Sequence, residues 1–87
     1  MKLDRHITPS GRGKYAVLNL RTNRIEWGLP GDPDEFFVLK LRDIYASAAL
    51  LAYATEAEKC GDAEFAQEVR VLAGRSGIKS PHAKAPD

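Results

Sequence analysis

Cysteine occurs once in the 87 residues, as Cys60, which excludes an internal disulfide framework and any cysteine-built zinc finger. Histidine occurs twice, as His6 and His82, each close to an end of the sequence, where a catalytic geometry is hard to hold. No His-Glu-x-x-His spacing exists, so a two-histidine metal site would need carboxylates from elsewhere, and no metal or other cofactor is expected. Apolar runs stay well short of the ~20 residues that span a bilayer. The segment Met1-Lys2-Leu3-Asp4-Arg5-His6 lacks the apolar stretch of a signal peptide. Net charge is nearly absent, at +1, and supplies no broad field for nucleic acid. These shortages exclude whole classes and leave a cytoplasmic domain with no membrane association as the expectation.

What the sequence does hold is enough apolar material for a core. Hydrophobic residues make up 44% and charged residues 29%, with seven aromatics: Tyr15, Trp27, Phe36, Phe37, Tyr45, Tyr53 and Phe65. The length allows one small domain. The near-zero net charge hides a segregation. Residues 1–24 carry six basic groups against one acid, residues 25–68 three against ten, and residues 69–87 four against one, giving +5, −7 and +3. Basic ends flank an acidic middle. Such polarity either steers a partner of opposite charge or neutralises itself when the ends fold back.

Residues 1–13 contain Pro9, Ser10, Gly11 and Gly13 and no sustained periodicity, and read as an arm or loose N-terminus. From Lys14 the residues become strand-like, with Tyr15 and Val17 alternating with Ala16 and Leu18. Arg21-Thr22-Asn23-Arg24 is polar and includes an Asn able to take positive φ, as a hairpin turn requires. Ile25-Glu26-Trp27 alternates again, so residues 14–28 predict a β-hairpin. Gly28-Leu29-Pro30-Gly31-Asp32-Pro33-Asp34 cannot continue a ladder and reads as a loop. Glu35–Leu41, with its Phe-Phe-Val core, is expected to be a third strand. The competing reading makes Pro33 the first residue of a helix, with Asp34 and Glu35 at its positive end.

Helices follow. Asp43 is a good N-cap for a helix over 44–60, and Gly61 is placed to stop it. Its apolar stripe is Ala46, Ala49, Leu50, Tyr53, Ala54 and Ala57. Asp62 caps a second helix over 62–73, with stripe Phe65, Ala66, Val69, Leu72 and Ala73. The short break predicts an antiparallel pair. Residues 76–87 read as a flexible tail. The expected fold is α+β: a short three-stranded antiparallel sheet packed against an antiparallel αα-hairpin, within one globular domain over 14–75.

The stretch Asp34-Glu35-Phe36-Phe37-Val38-Leu39-Lys40-Leu41-Arg42-Asp43, followed by Ala48-Ala49-Leu50 and Tyr53-Ala54, resembles a motif of small uncharacterised phage and prophage proteins. In those proteins an acidic-aromatic strand ends in a basic residue plus Asp, and an Ala-rich helix with a Tyr comes next. Lys84-Ala85-Pro86-Asp87 is similar to a tail ending in the same proteins. The resemblance covers residues 34–58 and that tail, and it is structural in character. It implies an accessory protein of a phage or mobile element, a class that includes inhibitors of host defences such as anti-CRISPR proteins.

Few residues carry chemistry. Ser10-Gly11-Arg12-Gly13-Lys14 places two glycines beside cations, where backbone N–H groups can approach a phosphate, but it lacks Walker spacing and precedes a strand. Arg12 and Lys14, with Arg21 and Arg24 at the hairpin turn, are therefore candidate phosphate or partner contacts, the plain alternative being a solvated loop. Trp27 is either a core anchor or an exposed interface anchor. Asp32, Asp34 and Glu35 either imitate phosphate charge before a partner or solubilise a loop. Cys60 follows Lys59 at a helix C-terminus, where the dipole disfavours a thiolate, and is expected to be a half-buried structural thiol. No convergent reactive set is present, so the expected function is non-catalytic protein binding; the resemblance to phage proteins implies, more narrowly, a phage-encoded inhibitor that occludes a host protein or ribonucleoprotein complex in the bacterial cytoplasm. The alternative is a small nucleic-acid-binding protein using the basic arm and hairpin. Leu50, Leu51, Ala52 and Tyr53 place apolar residues on more than one face of the first helix, which points to a homodimer.

Overall fold

The computed structural model describes residues 15–85. The expected N-terminal arm, Arg12, Lys14 and the last two residues lie outside the described residues. Contacts divide the chain into two units, Met1–Val38 and Leu39–Asp87.

In the first unit, β1 (Val17–Asn19) and β2 (Arg24–Glu26) pair antiparallel, with Val17 opposite Glu26, Leu18 opposite Ile25 and Asn19 opposite Arg24. The turn between them depends on two asparagines. Asn23 takes φ +56°, and its N–H donates to the Asn19 carbonyl at 2.8 Å. The Asn19 side-chain oxygen accepts the N–H groups of Arg21 and Thr22 at 3.0 and 3.2 Å, and its amide donates to Glu26 Oε2 at 3.0 Å. Short polar side chains that satisfy local backbone groups are what make such a turn stable.

The sheet has two strands among the described residues, not three, and residues 35–40 form neither strand nor helix. Two successive turns precede them, with the Asp32 N–H on the Leu29 carbonyl at 3.1 Å and the Glu35 N–H on the Asp32 carbonyl at 3.0 Å. Phe36 lays its ring against Gly28, where an added Cβ would come within 2.5 Å of it. Further on, the main chain is claimed by a different partner. The Leu41 carbonyl accepts Gly77 N–H at 2.7 Å, and the Arg42 carbonyl accepts Lys84 N–H at 2.9 Å. Strand propensity in Phe-Phe-Val expresses itself only beside a partner edge, and among the described residues this segment pairs with none.

In the second unit, α1 spans Ala46–Lys59 and α2 spans Ala63–Ala73. α1 begins later than the Asp43 cap predicts, with Tyr45 as the N-cap. The reason is that Asp43 forms a parallel bridge with Lys84, and Ile44 N–H donates to the Lys84 carbonyl at 3.1 Å. Asp43 Oδ1 instead accepts the Tyr45 N–H at 2.8 Å. At the other end Gly61 stops α1 with φ +88°. Asp62 N–H returns to the Ala57 carbonyl at 3.0 Å and Gly61 N–H to the Glu58 carbonyl at 3.0 Å, the paired bonds of a Schellman cap. Asp62 is the N-cap of α2, as expected, although its side chain makes no capping bond.

The two helices meet through small side chains. Ala54, Ala66 and Val69 form the buried cluster, flanked by Leu50 and Ala57, and Ala46 and Ala73 are also fully buried. Among the described residues the largest fully buried side chain is Ser76, whose hydroxyl donates to the Leu72 carbonyl at 2.6 Å. Residues after α2 are not the structureless tail that composition suggests. Gly77–Lys79 is a 3₁₀ turn laid against the start of α1. Gly77, at φ +60°, approaches so closely that an added Cβ would stand 3.0 Å from Ser47 Cβ and 3.2 Å from the Ile44 carbonyl oxygen.

Gly77→Ala should therefore cost at least about 1 kcal/mol more than Gly61→Ala, since both pay left-handed strain but only the first also meets neighbours. Urea unfolding of the two variants measures this. Equal losses would show that residues 76–79 do not pack on α1.

Candidate functional site

The candidate contacts predicted from sequence do not gather into one site. Arg21 and Arg24 are exposed at the turn end of the hairpin. Trp27 follows β2 and is 37% exposed. Asp32, Asp34 and Glu35 lie in the turns beyond it, and Glu35 Oε1 accepts the Gly31 N–H at 3.0 Å, which gives that carboxylate a local structural role. Cys60 is exposed at the end of α1 rather than half-buried. Among the described residues no three His, Cys, Asp or Glu side chains come together in a way that could hold a metal, and no helix is long and apolar enough to cross a membrane.

A more coherent surface lies on the helical unit, formed by Tyr45 and by three residues, Ala49, Tyr53 and Phe65, whose sequence pattern reads as core. Tyr45 has helical backbone angles at the N-cap, so Tyr45, Ala49 and Tyr53 recur at i, i+4 and i+8 and line one side of α1 over about 12 Å. Tyr53 is 58% exposed and Tyr45 59%. From α2, Phe65 joins them: its ring meets Tyr53 edge-on, with centroids 5.9 Å apart and planes at 71°. Phe65 is itself 38% exposed. These rings flank the alanine contact because the contact has no room for them.

The hairpin also exposes apolar side chains. Leu18 and Ile25 face each other across the strands at 53% and 54% exposure, and Leu20 in the turn is 86% exposed. A lone two-stranded hairpin is marginal in water, so apolar groups there have little to hide behind.

Charges in the helical unit separate by end. Glu56, Glu58, Asp62 and Glu64 gather at the α1–α2 turn, where Glu56 pairs with Lys59 at 3.1 Å and Glu58 with Arg70 at 2.6 Å. At the opposite end, where residues 40–44 meet 75–84, the residues are mostly basic: Lys40, Arg42, Arg75, Lys79 and Lys84, beside one acid, Asp43.

Comparison of the chain with protein-family models, with curated proteins and with solved structures returns no match. The residues themselves carry the functional reading.

The strip makes a specific claim about stability. Tyr53→Ala should lower the unfolding free energy by about 0.5–1.5 kcal/mol, the worth of an exposed aromatic pair. A loss in the ~3–5 kcal/mol range of a buried aromatic would place the ring inside the core. Chemical denaturation of the variant separates the two.

Proposed function

We propose that this chain is a non-catalytic protein-binding module that works by covering part of a partner's surface. The observation that carries the reading is the strip of Tyr45, Ala49, Tyr53 and Phe65, bulky side chains standing outside a helix pair whose interior is lined with alanine. Exposed aromatics clustered on a rigid element are the residue type and setting of interface hot spots. The helices hold them in register, so little ordering entropy is lost on docking. The acidic end of the same unit supplies steering toward a basic partner.

The resemblance of residues 34–58 to phage and prophage accessory proteins supports a host complex as the partner class and occlusion of a host defence as the outcome. Blocking of that kind needs a fitted surface and no bond-making group.

Affinity capture from lysate of the host, with the wild-type chain and with Tyr45→Ala combined with Tyr53→Ala, tests this. The wild type should retain a stoichiometric protein, and the variant should lose it, because each hot-spot truncation costs about 2 kcal/mol or more of binding. No stoichiometric partner, or one held equally by the variant, contradicts the reading. Sedimentation that shows a dimer dissociated by the same substitutions would reassign the strip to a second copy of the chain.

A further inference from the structure

Residues 40–42, Arg75 and residues 80–82 enclose a shallow groove of about 530 Å³, lined by Lys40, Leu41, Arg42, Arg75, Ser80, Pro81 and His82. Its lining brings together three basic side chains from segments more than 30 positions apart in sequence, and none of the residues that form it is acidic. The arrangement is built rather than incidental. The 40–44 and 76–84 segments are tied by three main-chain bonds: Gly77 N–H to Leu41 O, Lys84 N–H to Arg42 O and Ile44 N–H to Lys84 O, at 2.7, 2.9 and 3.1 Å. Ser80 is fixed in turn by its N–H on the Gly77 carbonyl at 3.0 Å, and its hydroxyl oxygen accepts the His82 N–H at 3.1 Å.

Toward the acidic end Lys59 pairs with Glu56 and Arg70 with Glu58, and among the described residues neither Arg42 nor Arg75 takes part in an ion pair. Like charges held on one groove repel, and an anion laid between them removes that cost. Two planar guanidinium forks match phosphate oxygens in geometry as well as charge.

We propose that this groove binds the phosphodiester backbone of a single-stranded nucleic acid, with Arg42 and Arg75 gripping phosphates. The main chain argues against an extended acidic peptide as occupant. The carbonyls of Lys40, Leu41 and Arg42 already accept bonds from Asp43, Gly77 and Lys84, so the acceptors that an added peptide strand would pair with are engaged. Recognition falls to side chains, which is how proteins hold a nucleic-acid backbone. Leu41, Pro81 and the His82 ring add apolar and planar surface for unstacked bases, which a duplex keeps inside. This site is separate from the helical strip, and its test does not depend on the strip.

Fluorescence anisotropy of a short labelled single-stranded oligonucleotide with the full chain is the experiment. Binding should weaken with salt, with a log–log slope of about −1 to −1.5 for the two phosphate contacts of Arg42 and Arg75. Arg42→Glu with Arg75→Glu should abolish binding. Arg42→Gln with Arg75→Gln, a milder pair that keeps the test valid if charge reversal disturbs folding, should make the slope shallower by about 1 to 1.5. Lys59→Gln, at the far end of the helices, should leave affinity as it is. The proposal is overturned by unchanged binding in the glutamine pair or by loss that follows Arg21→Gln with Arg24→Gln instead. Displacement by polyglutamate as effective as that by unlabelled oligonucleotide would equally overturn it, in favour of an acidic peptide.

Discussion

The close approach of α1 and α2 through methyl groups sets the terms for the rest of the helical unit. Ala54 and Ala66 meet with Val69 at the centre of the contact, and Ala46 and Ala73 are buried toward its other end. Each buried methyl contributes only about 0.8 kcal/mol, so the contact is tight but modest in strength. A seam this narrow cannot admit a phenol or phenyl ring. Tyr53 and Phe65, although they sit at helical spacings that normally mark a core, are displaced to its margin and meet each other there. The surface aromatics are thus a consequence of the alanines.

A core of small residues needs help from the backbone, and the second half of the unit provides it. Residues 41–44 and 77–84 exchange main-chain hydrogen bonds, Ser76 closes the end of α2 from a fully buried position, and Gly77 allows the 3₁₀ turn to lie on α1. Such bonds are individually worth about 1 kcal/mol, yet they also fix which side chains face which. The same clasp that shuts the open end of the helical pair brings Arg42 and Arg75 to one groove. The closure of the helical pair and the proposed groove share one set of contacts at that end.

Local chemistry was legible in the sequence, and non-local pairing was not. Asn23 at positive φ and Gly61 at the end of α1 act within a few residues, and each sits where its chemistry predicts. Glu35–Leu41 misleads because strand propensity is expressed only beside a partner edge, and among the described residues this segment joins no sheet. Asp43 misleads as a cap because the groups on either side of it, the Arg42 carbonyl and the Ile44 N–H, are bonded to Lys84, far along the chain. Of the apolar stripe of α1, Ala46 and Ala54 are buried, whereas Ala49 and Tyr53 are exposed. Spacing says which residues share a side of a helix and not how much room lies opposite. The i, i+4, i+8 recurrence of Tyr45, Ala49 and Tyr53, flanking a stripe of alanines, is the signal that could have revealed the strip. The groove was visible only as a basic bias in residues 69–87, because Lys40 and Arg42 reach it through the fold.

The relation between small interior and large exterior can be read directly by nuclear magnetic resonance with an inert, soluble paramagnetic agent. Ring protons of Tyr45, Tyr53 and Phe65 should relax strongly on its addition, while the methyl groups of Ala54 and Ala66 stay protected. Rings shielded as well as those methyls, in a chain shown to be monomeric in the same sample, would contradict the account.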